Sequence, residues 1–399
     1  MRRLIPLLCL PALSALAAHS PNDTTSSASM AIEPTVQVPY GVSGSPLTGI
    51  TASTEPLAVT AGAGKPDKGD WVIAPIPGYD PSQGANIKAI AEYVFAPDKD
   101  ASPDTPKDII GLGAFYSEEH SRALGAAYSG SLDHDTWRLL ALAGIGRLNY
   151  DFYGVGTGSA GRSIPVEQDM GFGLVRIMRR VHSHLFAGVR AQAMSIDSRA
   201  RLTVPGGPSI PPFERQMTTA ALGPTLQWDT RDNQFFPTRG DLVDFKADFF
   251  GEAVGSDIDY QVYDFDWNHY EPVAASGGVI AARARLRGTG GDVPFFGMGQ
   301  FGQGCDLRGY IDGKYRDRML AAFQVEYRQF FTRRWGFAAF GGTGSVAGKL
   351  DELLSEEQLW SAGGGLRFRM SEKNPISLRV DFAYGRDGPA WYVSVGEAF

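Results

Sequence analysis

The chain has 399 residues, a formal net charge of −7, two cysteines and 49 glycines. That length accommodates one large domain or two ordinary ones, and an acidic balance without a basic patch excludes a nucleic-acid-binding class. Glycine exceeds its usual share of roughly 7% and aromatics reach 11%, a composition that favours an all-β chain with many turns.

The N-terminus reads as a targeting segment. Arg2 and Arg3 precede an apolar stretch, Leu4 to Leu16, that is too short to span a bilayer as a helix. Ala15-Leu16-Ala17 supplies a small-x-small cleavage pattern. Residues 1–18 are therefore assigned to a signal peptide, with Cys9 part of its discarded apolar core. Only Cys305 then remains, so no intrachain disulfide is available. Residues 19–70 are rich in Ser, Thr, Pro, Ala and Gly and are assigned to a flexible periplasmic linker or plug-like segment. No later apolar stretch approaches the ~20 residues of a membrane helix. A membrane β-barrel stays open, because its strands hide their hydrophobicity by alternating it.

From Trp71 to Phe399 the chain reads as about sixteen strands. The first eight are expected near Trp71–Ile76, Asn86–Phe95, Ile109–Tyr116, Ser121–Ser129, Trp137–Tyr150, Glu167–Val181, Leu185–Ser198 and Met217–Asp229. The rest fall near Gly240–Phe250, Asp259–Tyr270, Gly277–Arg287, Arg318–Phe330, Trp335–Gly344, Leu359–Arg369, Ile376–Tyr384 and Trp391–Phe399. In the fifteenth, Ile376, Leu378, Val380, Phe382 and Tyr384 share one face, while Ser377, Arg379, Asp381 and Ala383 share the other. In the eleventh, Arg283, Arg285 and Arg287 share a face opposite Ile280 and Leu286. Val243 to Phe249 opposes Asp244, Lys246 and Asp248 to apolar residues, and Tyr263 to Trp267 opposes Asp264 and Asp266 to aromatics. A dry sandwich core would have to pair every one of these buried charges. A water-containing lumen removes that cost, so the predicted fold is an all-β transmembrane antiparallel barrel of about 16 strands. The last expected strand carries Trp391, Tyr392 and Phe399, assigned to the C-terminal insertion signal and to the seam that closes on the first strand.

Between the eleventh and twelfth expected strands lies Cys305-Asp306-Leu307-Arg308-Gly309-Tyr310, followed by Asp312-Gly313-Lys314-Tyr315-Arg316-Asp317. Asp229-Thr230-Arg231-Asp232-Asn233-Gln234-Phe235-Phe236-Pro237-Thr238-Arg239-Gly240 precedes the ninth, and the chain closes on Gly385-Arg386-Asp387 and Gly396-Glu397-Ala398-Phe399. With these segments residues 71–399 resemble the bacterial surface antigen family of outer-membrane barrels (BamA/TamA-like), to which two-partner secretion transporters are related. The resemblance implies a sixteen-stranded barrel, a weak seam, and a long loop folded into the lumen. Carried over, Arg308 is the loop arginine, Gly309 its hinge, and Leu307 and Tyr310 the flanking contacts. A guanidinium holds a carboxylate bidentately, and Glu326 and Asp381, which alternation points to the lumen, are the candidate partners. The family often places an aspartate in a Phe-x-Asp-x-Gly pattern, where this chain has Gly342 within Phe340-Gly341-Gly342-Thr343-Gly344. The segment before the barrel is too short for periplasmic substrate-feeding domains, so the chain resembles a barrel-only member.

Enzyme signals are poor. No Gly-x-Ser-x-Gly elbow occurs. Gly154-Val155-Gly156-Thr157-Gly158 sits in a turn with no helix to follow. His182 and His184 lack a third metal ligand and read as surface histidines. His269 is the sole mild candidate for a lumen-edge catalytic group. Asp229 to Gly240 reads as a tight periplasmic turn. The expectation is no enzyme, no cofactor and no metal. The partners expected are outer-membrane lipid, the barrel assembly machinery for the chain's own insertion, and client envelope proteins or lipids. The predicted location is the outer membrane of a Gram-negative cell. The function expected is assistance in insertion or transport of those clients; the alternative is a passive pore or structural surface antigen.

Overall fold

A computed structural model describes residues 69–80, 82–96, 105–153, 155–156, 164–200, 213–233, 236–273, 277–302, 306–369 and 377–399. The signal-peptide and linker assignments, 1–18 and 19–70, fall almost wholly outside those residues.

The described chain is a closed antiparallel barrel of sixteen strands. Its first half comprises β1 (Asp70–Asp80), β2 (Gly84–Val94), β3 (Ile109–Ser117), β4 (Arg122–Leu132), β5 (Trp137–Phe152), β6 (Ile164–His182), β7 (Leu185–Ala200) and β8 (Phe213–Asp229). β9 (Gly240–Phe250), β10 (Tyr260–Val273) and β11 (Gly278–Gly291) follow, and the wall resumes with β14 (Met319–Phe330), β15 (Trp335–Ala347), β16 (Leu359–Arg369), β17 (Ser377–Gly385) and β18 (Gly388–Val395). Between β11 and β14 a loop carries its own two-stranded ribbon, β12 (Gly299–Gln300) with β13 (Arg316–Asp317). Sequence reading missed this ribbon because strands of two residues leave no periodic trace.

Alternation of burial follows the alternation of residue type. Along β17, Arg379 and Asp381 are buried while Val380, Phe382 and Tyr384 are 45%, 56% and 51% exposed. The apolar face is therefore turned outward and the charged face inward, the arrangement of a membrane barrel.

Two features of the closure matter. Among the described residues β1 and β18 are joined in register at Tyr79 and Val393. β17 and β18, by contrast, pair continuously from Leu378–Val395 to Gly385–Gly388. Pro75 and Pro77 fall in β1; having no N–H, proline suits a strand that behaves as an edge.

The expected terminal strand Trp391–Phe399 needs correction. β18 starts earlier, at Gly388, and stops at Val395. Gly396 has φ +86, in the left-handed region that glycine reaches without a Cβ clash, and its N–H donates to the Ser377 carbonyl at 2.8 Å. The last residues thereby turn into the barrel. Phe399 packs against Tyr270, Val279 and Ala281 instead of closing on the first strand.

Candidate functional site: the lumen loop and its anchors

The loop leaves β11 at Gly291 and returns at β14, with residues 303–305, including Cys305, outside those described. Its apolar residues explain why it stays inside. Phe295 and Phe296 join a buried cluster with Val166, Ile196 and Met217 on β6, β7 and β8. Phe301, Leu307, Tyr310 and Tyr315 are packed with Leu320, Ala322, Val346 and Leu359 on β14, β15 and β16. The loop thus reaches both flanks of the lumen and is held by burial at each.

Arg308 is 3% exposed and is the centre of a charge cluster. Its Nη1 donates to Asp381 Oδ2 at 2.7 Å, and its Nη2 lies 2.5 Å from Glu326 Oε2. Nε and Nη2 also donate to Gln324 Oε1 at 2.8 and 2.5 Å. The guanidinium carbon lies over the Phe340 ring, 3.4 Å from its centroid, a cation–π contact. Glu326 and Asp381, the two partners read from alternation, are both brought to it. Gln324 and Phe340 were not read from the sequence.

The cluster extends along the wall. Arg367 on β16 donates to Asp381 at 2.5 Å and to Glu397 at 2.9 Å, and lies 3.4 Å from Glu326. Arg328 pairs with Glu326 at 2.6 Å and donates to the Phe399 carbonyl at 2.6 Å. Arg379 lies 3.4 Å from Asp381. Desolvating so many charges is tolerable because each carboxylate is shared by several guanidinium groups. Two positions before Arg308, Asp306 accepts from Arg285 at 2.8 and 2.9 Å and lies 3.5 Å from Arg283. The Asp-Leu-Arg segment is therefore gripped by opposite charges on β11 and on β14 and β17, with Leu307 fully buried between them.

Glycine at two positions makes the docking possible. Gly309 has φ +112, which an L side chain rarely adopts. At Gly342 a Cβ would run into the Phe323 carbonyl oxygen and come within 3.0 Å of Leu307 Cδ1. An aspartate has no room there, and Gln324, its cross-strand neighbour in register, supplies the acceptor in its place.

The loop tip is tied to the last strand. The Gly309 N–H donates to Tyr392 Oη at 2.9 Å, and that hydroxyl donates to the Tyr310 carbonyl at 3.3 Å. Tyr310 Oη donates to the Trp360 carbonyl at 2.6 Å. Tyr315 Oη donates to Asp387 at 2.8 Å; burial, then that hydrogen bond, holds its hydroxyl well above the ordinary tyrosine value. On the outer face Trp391 stacks on Tyr79 of β1, with centroids 3.7 Å apart. Trp391 and Tyr392, assigned to the seam by sequence, thus sit on opposite faces of β18, one against the first strand and one against the loop.

The remaining sequence candidates stay apart from this cluster. His182 and His184 are exposed at the β6–β7 turn, and no group of metal-ligating side chains occurs among the described residues. His269 lies 2.8 Å from Asp241, which also accepts from Trp267 at 3.0 Å. The turn after β8 is built around Asp232, which accepts from the Thr238 and Arg239 N–H groups at 2.8 and 3.2 Å, with Gln234 and Phe235 outside the described residues.

A closed sixteen-stranded barrel with a charged lumen and a docked inward loop defines a class of transmembrane β-barrels. Residues 213–399, from β8 to the end of the chain, match the Omp85 superfamily domain, a stretch that includes the loop and all its anchors on β11 to β18. Solved structures of similar fold include BamA from Haemophilus ducreyi lacking POTRA domains 1–3 (TM-score 0.55, 15% identity, 83% of this chain and 70% of that one). CdiB from Acinetobacter baumannii is similar (TM-score 0.52, 12% identity, 82% and 60%), as is CdiB from Escherichia coli (TM-score 0.54, 11% identity, 85% and 64%). This chain therefore spans less than two thirds of each CdiB chain. No curated protein matches it in sequence.

Proposed function

We propose that this chain is a non-catalytic outer-membrane barrel that helps insert or transport envelope proteins or lipids, using the β1–β18 seam as its working edge. The observation that carries this reading is the coupling of seam and loop. Among the described residues β18 meets β1 in register at Tyr79 and Val393, and the same strand holds the loop tip through Tyr392. An edge so thinly paired presents free backbone groups to an incoming strand, and a loop bonded to that edge senses its movement. Likeness to BamA and CdiB barrels supports the fold on which the reading rests. A passive pore is disfavoured because the loop's buried anchors occupy the lumen. The test is envelope proteomics of a deletion strain and of an Arg308→Ala strain. Both are expected to alter the outer-membrane protein profile or its lipid asymmetry; an unchanged envelope in both overturns the proposal.

A further inference from the structure

The lumen loop has two halves held by different forces. Around Arg308 the charges are paired: Asp381, Glu326 and Gln324 hold its guanidinium, and Arg285 holds Asp306. The other half is a strap, residues 293–300, that covers Arg316 of the return ribbon. Phe295 and Phe296 attach the strap to Val166, Ile196 and Met217 on β6, β7 and β8, and Phe295 meets Phe152 edge-on at 4.2 Å. Arg287 donates to the Gly297 carbonyl at 3.1 Å. The strap ends on β12, which pairs with β13 at Gly299–Asp317 and Gln300–Arg316. No charge of its own holds it, since residues 293–300 contain no ionisable side chain.

Arg316, beneath the strap, is the opposite of Arg308. It is buried, with its guanidinium carbon 3.5 Å from the Phe295 ring centroid and 5.6 Å from that of Phe152. Its Nε donates to the Gly313 carbonyl at 2.9 Å, but its Nη1 has no hydrogen-bond partner. No carboxylate pairs with it among the described residues. The neighbouring sequence offers none either, for residues 154–163 and 301–305 contain no Asp or Glu. Burial lowers its pKa, the direction expected of a cation that lacks a counter-charge. Gln300, at the end of the strap, is buried with its Oε1 equally without a partner. A desolvated charge without an ionic partner is costly, and a stack on an aromatic ring returns only part of that cost.

The loop springs from the barrel end that also carries the long connections 153–163, 201–212 and 348–358, while the opposite end is closed by turns as short as 183–184. In an outer-membrane barrel the longer connections are the extracellular ones. We propose that residues 293–300 form a lid that lifts from β6, β7 and β8 toward the extracellular side while the Arg308 half stays docked. Lifting exposes Phe295 and Phe296, which opposes it, and hydrates the bare Arg316 guanidinium and the Gln300 amide, which favours it. The opposed terms place the strap at the low-stability end of the loop. β13 itself stays in place: the Arg316 carbonyl accepts from the Gly156 N–H at 2.6 Å, and the chain re-enters the wall at Met319. The two arginines therefore act with opposite sign, Arg308 as a pin and Arg316 as the charge that loosens the lid. The lid does not depend on the seam-based role proposed above; a deletion strain with an unchanged envelope would leave the results below standing.

The experiment combines labelling and hydrogen exchange on the full chain in membranes. In a Cys305→Ser background, Phe296→Cys and Leu307→Cys place a thiol in each half, at positions 2% and 0% exposed. A membrane-impermeant maleimide added to intact cells is expected to label Phe296→Cys at least about ten-fold faster than Leu307→Cys, because buried sites react only through local opening. Hydrogen exchange of residues 293–300 is then compared between wild type, Arg316→Met and Arg316→Lys. Arg316→Met, apolar and of similar length, is expected to slow exchange about ten-fold, since removing an unpaired buried charge stabilises the closed state. Arg316→Lys keeps the charge and is expected to exchange at least as fast as wild type. Folding is checked by heat-dependent migration, and if Phe296→Cys does not fold, the exchange of Arg316→Met decides. Exchange in Arg316→Met at or above the wild-type rate overturns the proposal, because the guanidinium is then an anchor or is satisfied by water. Equal slowing in Arg316→Lys, or labelling of Phe296→Cys no faster than Leu307→Cys, overturns it too.

Discussion

Replacing Arg308 by alanine removes one guanidinium from between Asp381, Glu326 and Gln324 and uncovers the Phe340 ring. Breaking a buried pair costs about 3–5 kcal/mol, and a desolvated cation–π contact adds up to about 2. Arg367, Arg328 and Arg379 still reach the same carboxylates, so the low end, about 3 kcal/mol, is the appropriate figure. This loss falls on loop docking and not on the barrel ladder, which no Arg308 atom joins. At about 1.4 kcal/mol per factor of ten, the undocked population should rise about a hundred-fold. Hydrogen exchange reads it directly, because the Gly309 N–H is held by Tyr392 and local opening sets its protection. Peptides covering residues 306–315 should exchange about a hundred-fold faster in Arg308→Ala, with β5 to β8 unchanged. Protection equal to wild type in the loop would show that apolar packing alone docks it, and would refute the argument from charge.

Gly342→Asp, which restores the residue type common in the family, should displace Leu307 and increase loop exchange, as seen in the same peptides. Tyr392→Phe removes the acceptor for the Gly309 N–H, a cost of about 1 kcal/mol; it should loosen the tip roughly five-fold in exchange rate without changing the barrel's thermal midpoint. Asp306→Asn weakens the grip of Arg285 and Arg283 and should raise protease cleavage within the loop, whereas Asp317→Asn, on the return strand and bonded only to its neighbour's N–H, should not. Trp391→Ala removes the stack on Tyr79 and should lower the temperature of the heat-dependent gel shift by a few degrees.

Much of the barrel was legible because burial on one face writes a period of two into the sequence. Ser377 to Tyr384 could be assigned face by face from that rule alone, and the strands of the wall fall within a few residues of their expected places. The turn at Gly396 was not legible: it depends on a positive φ and a bond to Ser377, neither of which leaves a periodic signal. Within the site, Glu326 and Asp381 could be named from alternation around Arg308. Gln324 and Arg328 lie on the same face of β14 and carried the same signal. Arg367, Arg379 and Asp306 required the register of β16 on β17 and the path of the loop, which are tertiary facts. Phe340 was hidden for a different reason, since an aromatic on the inner face reads as packing until a cation is placed over it.

The central claim is that the seam between β1 and β18 works by opening. Tyr79 and Val393 are its register partners, so Tyr79→Cys with Val393→Cys, in a Cys305→Ser background, can lock it with a disulfide. Outer-membrane protein composition is then compared between oxidised and reduced cells of that strain. The expected result is the deletion profile when the seam is locked and the wild-type profile when the bond is reduced. A locked barrel that supports a wild-type envelope would contradict the account.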